Sequence, residues 1–223
     1  MEKRIDFITV GDIGTNCWLY PIDDKADDAK PCIVIDPGDE APLIISRLKE
    51  NNWIPQFIFL THGHYDHLAA LPDLVESCES GVFGKSIVPK IGIHRLDAIY
   101  LGEKSLQLHR SCFIAAGGAS SYIDKLWKPL PEADILFEEG SSTGPFSIIH
   151  LPGHTPGSVG FYDEKTAVLF SGDTLFKGNR GRTDLPGGNE TQIMLSIKKL
   201  LLMKSDITVC PGHGPITSIG DEA

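Results

Sequence analysis

The sequence has no C-x-x-C pair, no apolar run approaching the roughly 20 residues of a membrane-spanning helix, and a deficit of positive charge. Each absence closes off a class of protein. The five cysteines (Cys17, Cys32, Cys78, Cys112 and Cys210) are odd in number and unpaired in spacing, which reads as reduced, mostly buried thiols rather than a disulfide framework. None lies in a recognisable nucleophile context. Lys and Arg number 20 against 30 Asp and Glu, a net charge of -10 that repels polyanions, so nucleic acid is not an expected partner. The early stretch IDFITV is too short for the apolar region of a signal peptide, and Gly11 and Gly14 interrupt the chain directly after it. The expected location is therefore the cytoplasm, with no membrane partner. Low-complexity tracts, short internal repeats and linkers are lacking as well.

What is present is enough apolar material for a full core. Of 223 residues, 41% are hydrophobic, which suits one larger α/β domain and leaves little room for two. Short segments rich in Ile, Val and Phe, bounded by Gly, Pro or Asp, read as strands: RIDFITV, NCWLYPI, CIVIDPG at 32–38, FIFLTHG at 57–63, IGIH, FSIIHLPGH, SVGFYD, TAVLFSGD and DITVCPGHG. Helical patterns fall between them at 40–51, 72–79, 95–101, 105–116 and 190–203, with Pro72 suited to the first position of its helix. The stretch 102–145 reads as a helical excursion that returns to the sheet near ADILFEEG, and DDKADDAK at 23–30 as a solvated hairpin tip. Interleaved strands and helices predict an α/β sandwich.

Several strands end in a residue that can bind a metal. The densest case is Thr61-His62-Gly63-His64-Tyr65-Asp66-His67, directly after the apolar Phe57–Leu60. A loop leaving a buried strand can aim imidazoles and a carboxylate into one cavity without building them into the core. Three His and one Asp exceed what one catalytic metal ordinarily draws from a single loop, so two metals are the economical explanation. Downstream, LPGHTPG carries His154, SGDT carries Asp173 and PGHG carries His213, each after an apolar run and each beside a glycine that allows a sharp turn.

HxHxDH followed by PGHT, SGD and PGHG resembles the metallo-β-lactamase superfamily, and the match runs from Asp36 of the DPG turn to the last strand. The resemblance implies an αββα four-layer sandwich: two mixed sheets face to face with helices outside, in two similar halves sharing a metal cleft at the sheet edges. It also implies that His62, His64 and His154 hold one metal, that Asp66, His67 and His213 hold a second, and that Asp173 bridges them. Two cations about 3.5–4 Å apart would lower the pKa of a shared water towards roughly 7 and supply hydroxide for attack on a carbonyl. Asp66 and Asp173 are thus the candidate catalytic carboxylates, Asp66 with the added option of orienting that hydroxide. Asp36 is expected to support a loop or orient a ligand. A His/Asp site accepts zinc, iron or manganese, with zinc the leading expectation.

The segment GDTLF followed by GRTDLPGG resembles the glyoxalase II-like (hydroxyacylglutathione hydrolase) branch, which cleaves thioesters, rather than the antibiotic-hydrolysing branch, which commonly has Cys at a second-metal position. Lys177, Arg180 and Arg182 form a basic cluster beside Asp173 that can hold a small anionic substrate such as a glutathione conjugate, or else be solvated, with Arg182 paired to Asp184. Typical glyoxalase II proteins continue into a helical C-terminal domain that supplies much of the glutathione site. This sequence ends at Ala223, soon after His213, so the resemblance is to the short proteins with a single domain over 1–223 and without that helical domain, although TSIGDEA also resembles the start of a longer family tail.

Rival readings are a mononuclear-iron persulfide dioxygenase, which shares the HxHxDH loop and a GRTD segment, and a lactone or other ester hydrolase. A di-iron flavoprotein module is disfavoured because it usually carries Glu in place of His64, and a nucleic-acid-processing relative is disfavoured by the charge. Among the remaining residues, Tyr65 either packs beside the metals or donates to substrate, and His94 either lines the cleft or is an ordinary hydrogen-bonded histidine. His150 is expected to face away from the metals, His109 to lie on the surface, and Trp18, Trp53 and Trp127 to pack in the core or an interface.

Overall fold

The computed structural model describes residues 5–22 and 30–223, so the hairpin tip expected at 23–30 lies outside the described residues apart from Lys30. In chain order the elements are β1 (Asp6–Val10), β2 (Thr15–Pro21), β3 (Lys30–Ile35), α1 (Ala41–Glu50), β4 (Trp53–Phe59), α2 (Leu71–Glu79), β5 (Lys90–His94), α3 (Leu106–Ala115), α4 (Ser120–Leu126) and β6 (Ile135–Phe137). There follow β7 (Ser142–Thr143), β8 (Phe146–His150), β9 (Val159–Asp163), β10 (Val168–Gly172), β11 (Leu175–Phe176), β12 (Asn179–Arg180), α5 (Glu190–Leu201), β13 (Thr208–Pro211), β14 (Thr217–Ser218) and α6 (Ile219–Glu222). One six-stranded sheet runs in the order β1-β2-β3-β4-β5-β6, a second in the order β14-β13-β10-β9-β8-β7, and β11 with β12 makes a separate hairpin.

The period of two along each strand builds the layers. In β2, Cys17 and Leu19 face the helix side while Trp18 and Tyr20 face the other sheet; in β3, Cys32 and Val34 alternate with Ile33 and Ile35 in the same way. Both faces are buried, which is why these strands read as continuous apolar runs. Between the sheets, Phe59 and Phe137 meet edge-to-face at 5.2 Å, and Phe59 lies 5.6 Å from Phe161 of the opposite sheet. Full burial of side chains of this size is worth about 1.5–3 kcal/mol each. The outer face of the first sheet is covered by Ile44 and Leu48 of α1 and Leu71, Leu74 and Cys78 of α2. Leu200 of α5 closes the second sheet over Leu169 and Val209. The result is the αββα sandwich of the metallo-β-lactamase fold.

Two expectations need correction. The segment 95–101 forms only a 3₁₀ turn at Ala98–Tyr100, because its bonds are of the tighter three-residue kind, from Asp97 N–H to the His94 carbonyl and from Tyr100 N–H to the Asp97 carbonyl. His109 is 1% exposed rather than on the surface; it lies on the buried face of α3 with Cys112, and its Nε2 donates to the Tyr100 carbonyl at 2.8 Å. Helix α4 follows Gly117 and Gly118 and lies within the helical excursion expected at 102–145. All five cysteines are free and buried, and no helix among the described residues is long and apolar enough to cross a membrane.

Candidate metal centre

Strand direction brings the ligand-bearing loops together. β3, β4 and β5 are parallel, so Asp36, the loop 61–67 and the turn after His94 leave the first sheet on one edge. β10 and β13 are parallel in the second sheet, with Gly172 beside Pro211, so Asp173 and His213 emerge side by side. The loop after β8 delivers His154, and a bond from Val159 N–H to the Thr61 carbonyl at 2.8 Å joins the two sheets there. Gly212 is required by proximity: a Cβ on it would lie 2.2 Å from Asp173 Oδ1 and 2.7 Å from His67 Cε1.

An outer hydrogen bond sets the tautomer of four of the five histidines. Asp36 accepts from Thr61 N–H at 2.7 Å and from the Thr61 hydroxyl at 2.6 Å, so the hydroxyl oxygen is left to accept from His62 Nδ1 at 3.0 Å. Asp36 also accepts from His67 Nδ1 at 2.9 Å. The Arg182 carbonyl accepts from His154 Nδ1 at 2.7 Å, and the Gly14 carbonyl from His213 Nδ1 at 3.2 Å. Each of these bonds turns Nε2 inward.

Those inward nitrogens crowd together with carboxylate oxygens. His67 Nε2 lies 3.2 Å from His213 Nε2, and both lie 3.3 Å from Asp66 Oδ2. Asp173 spans the site, with Oδ1 at 3.3 Å from His67 Nε2 and Oδ2 at 3.5 Å from His213 Nε2 and 3.6 Å from His154 Nε2. His64 Nδ1 lies 2.7 Å from His154 Nε2, while His62 Nε2 and Asp173 Oδ1 are buried without a hydrogen-bond partner. Buried polar atoms without a partner are costly unless a cation lies beside them. Two groups with the geometry to hold a metal ion result, His62 with His64 and His154, and Asp66 with His67 and His213. A third geometric grouping, Asp36 with His62 and His67, is accounted for by hydrogen bonds, because the Asp36 oxygens are committed to Thr61 and His67.

Electrostatics separates the two groups. Burial, reinforced by neighbouring imidazoles, pushes His62 well down and His64 down to about 3, so both are neutral ligands at physiological pH. For His67 burial acts downward, but Asp66, Asp173 and Asp36 together outweigh it and hold the ring well above its ordinary value. His213 is likewise raised against burial, chiefly by its bond to Asp66. Burial opposes the ionised forms of Asp66 and Asp173, yet the surrounding histidines hold both carboxyls below the usual range. The two carboxylates at this end of the cluster are thus held ionised beside His67 and His213.

The side chains of the other sequence candidates make their contacts elsewhere. Tyr65 stacks on Trp127 at 5.9 Å and its hydroxyl donates to the Leu126 carbonyl at 3.1 Å. His94 is buried with its ring stacked on His150 at 4.3 Å, and its Nδ1 accepts from Leu96 N–H at 3.3 Å. Burial lowers His94 to about 4. Lys177 is exposed in the β11–β12 turn, Arg180 pairs with Glu190 at 2.6 Å, and Arg182 grips Asp184 through two bonds of 2.7 Å. Sequence reasoning missed the Gly14 and Arg182 carbonyls, which any residue type supplies, and Asp97, which carries no glycine or histidine signature.

Fold and cluster together define the class, an αββα protein with a His/Asp cluster for a dinuclear metal site. Residues 10–213 match the family model described as the metallo-beta-lactamase superfamily, and the chain belongs to that superfamily of metallo-hydrolases. It is similar to the hydroxyacylglutathione hydrolase GloC of Haemophilus influenzae, 36% identical over 220 residues that cover 98% of this chain and 94% of that protein. It also resembles the solved structure of TTHA1623 in a di-iron-bound form, with a TM-score of 0.78 and 33% identity over 97% of this chain and 96% of that one. The B3 metallo-beta-lactamase BLEG-1 superposes with a TM-score of 0.76 and 33% identity, covering 98% of this chain and 96% of that chain.

Proposed function

We propose that the protein is a glyoxalase II-like thioesterase acting on small anionic S-acyl thioesters such as S-acylglutathione. In this reading His62, His64 and His154 hold one divalent ion, Asp66, His67 and His213 hold another, and Asp173 is shared. Zinc is the proposed ion, with iron and manganese as the chemical alternatives for these donors. When bound, the pair supplies acidified water and a Lewis acid for the carbonyl. The chain's own residues do the rest. The Thr61, Asp36, Arg182 and Gly14 contacts hold four imidazoles in the tautomer that presents Nε2, and Asp66 Oδ2 also accepts from the Thr15 hydroxyl at 3.3 Å. Hydrolysis adds water across the C–S bond, releasing a carboxylic acid and a thiol.

The observation that carries this reading is the near full-length similarity to a hydroxyacylglutathione hydrolase. The loop geometry agrees with it. The Arg182 carbonyl touches His154 while its guanidinium lies outward on Asp184, an exposed ion pair that an anionic substrate can displace at little cost. The test is a hydrolysis panel of S-D-lactoylglutathione, other thioesters, lactones and β-lactams on the metal-reconstituted protein. Thioesters are expected to give the highest kcat/KM. One iron per chain with rapid oxygen uptake on glutathione persulfide would replace the hydrolase reading with the dioxygenase one, and a preference for lactones or β-lactams would replace the substrate class.

A further inference from the structure

Asp97 is a fully buried carboxylate outside the set of seven. It sits in the turn after β5, where its own N–H donates to the His94 carbonyl at 2.9 Å. Its Oδ2 accepts from Gly63 N–H at 2.9 Å and from the Thr155 hydroxyl at 2.6 Å, and its Oδ1 accepts from Gly157 N–H at 2.7 Å. Gly63 stands between His62 and His64; Thr155 and Gly157 follow His154. One carboxylate thus holds the backbone of a loop from the first sheet and that of a loop from the second, the two loops that present the first group of imidazoles.

The contact is close and directional. Because Thr155 gives its proton to a carboxylate, its oxygen is left to accept from the Ser158 hydroxyl at 2.8 Å, and Ser158 in turn accepts from Thr155 N–H at 3.1 Å. This chain fixes the turn after His154. A Cβ on Gly157 would lie 2.5 Å from Asp97 Oδ1, so the TPGS turn needs glycine for the carboxylate to reach its N–H. The same turn places Tyr100 against the other loop, where a Cβ on Gly63 would lie 2.2 Å from the Tyr100 ring. Asp36 acts differently: it touches His67 directly and His62 through Thr61.

We propose that Asp97 is a positioning residue for the first metal group, a buried carboxylate that sets the separation of His62 and His64 from His154 by binding the backbone of both their loops. The inference rests on the ligand reading above. It is tested by zinc affinity, measured through chelator competition, in two backgrounds. In His213→Ala only the first group remains intact, and adding Asp97→Asn is expected to weaken its zinc roughly 10–100-fold, the usual effect of losing a partner behind the ligands. The Asn oxygen can serve Gly63 and Thr155, but its NH₂ then opposes Gly157 N–H. In His154→Ala, which leaves the second group, the same addition is expected to change affinity less than about threefold. Thr155→Val, which removes one of the three bonds and keeps the shape, is expected to produce a smaller loss with the same preference, and it carries the test if Asp97→Asn does not fold. Equal weakening in both backgrounds, or none in either, would overturn the positioning role. Failure of the ligand reading itself would look different: His154→Ala and His213→Ala would each still bind two ions.

Discussion

The first group is three histidines and the second two histidines with an aspartate, and they live in different surroundings. His62, His64 and His154 are 1%, 5% and 3% exposed, and burial keeps His62 and His64 neutral. In the second group only His67 is fully buried; the side chains of Asp66 and His213 are 30% and 22% exposed, and carboxylates dominate the field. The closed group is positioned through backbone clamps between sheets. The open group is held by the β1–β2 hairpin, through Gly14 and Thr15, and by the end of β13. The second group is therefore the one nearer solvent.

Asp173 lies against imidazoles of both groups and is the residue proposed to be shared, so removing it should erase the distinction. Asp173→Ala is expected to lower kcat/KM for the best thioester by about 10³-fold, the scale seen when a group stabilising developing charge is lost. Zinc content should fall at both groups, read by metal analysis after gel filtration; unchanged activity would refute the proposed mechanism. Asp36→Asn should sharpen the difference instead. It acts on His67 directly and on His62 through the Thr61 hydroxyl, so zinc affinity should drop roughly 10–100-fold at the open group and less at the closed one, as read by chelator competition. The smallest effect belongs to Arg182→Ala. Its carbonyl, which holds His154, is retained, and the melting temperature should stay within about 2 °C. KM for an anionic thioester should rise roughly tenfold with kcat preserved, the worth of one charge-assisted contact of about 1.5 kcal/mol.

Much of the site was legible in the sequence because each candidate ligand follows an apolar run and sits beside a turn residue. Phe57–Leu60 before His62, TAVLF before Asp173 and DITVC before His213 announce strands, and the glycines announce where the chain turns to present a side chain. The fold class followed from the same runs, whose continuity reflects burial on both faces. What stayed hidden depends on partners far away in sequence. His109 lies in LQLHRSCFIA, whose apolar residues wrap around the helix, so the pattern does not reveal that its ring packs against Tyr65, Tyr100 and Trp127. The segment 95–101 has helical composition, but Asp97 ties it to Gly63, Thr155 and Gly157, and tertiary bonds override local propensity. Backbone carbonyls that fix imidazole tautomers leave no trace in residue type.

The central claim is a dinuclear site made of one closed and one open group. Calorimetric titration of the metal-free protein with zinc tests it most directly, run beside His154→Ala and His213→Ala. Two ions per chain are expected for the unaltered protein and one for each variant, with the ion that remains in His154→Ala the faster to leave on adding chelator. A single ion in the unaltered protein, or two in either variant, would contradict it.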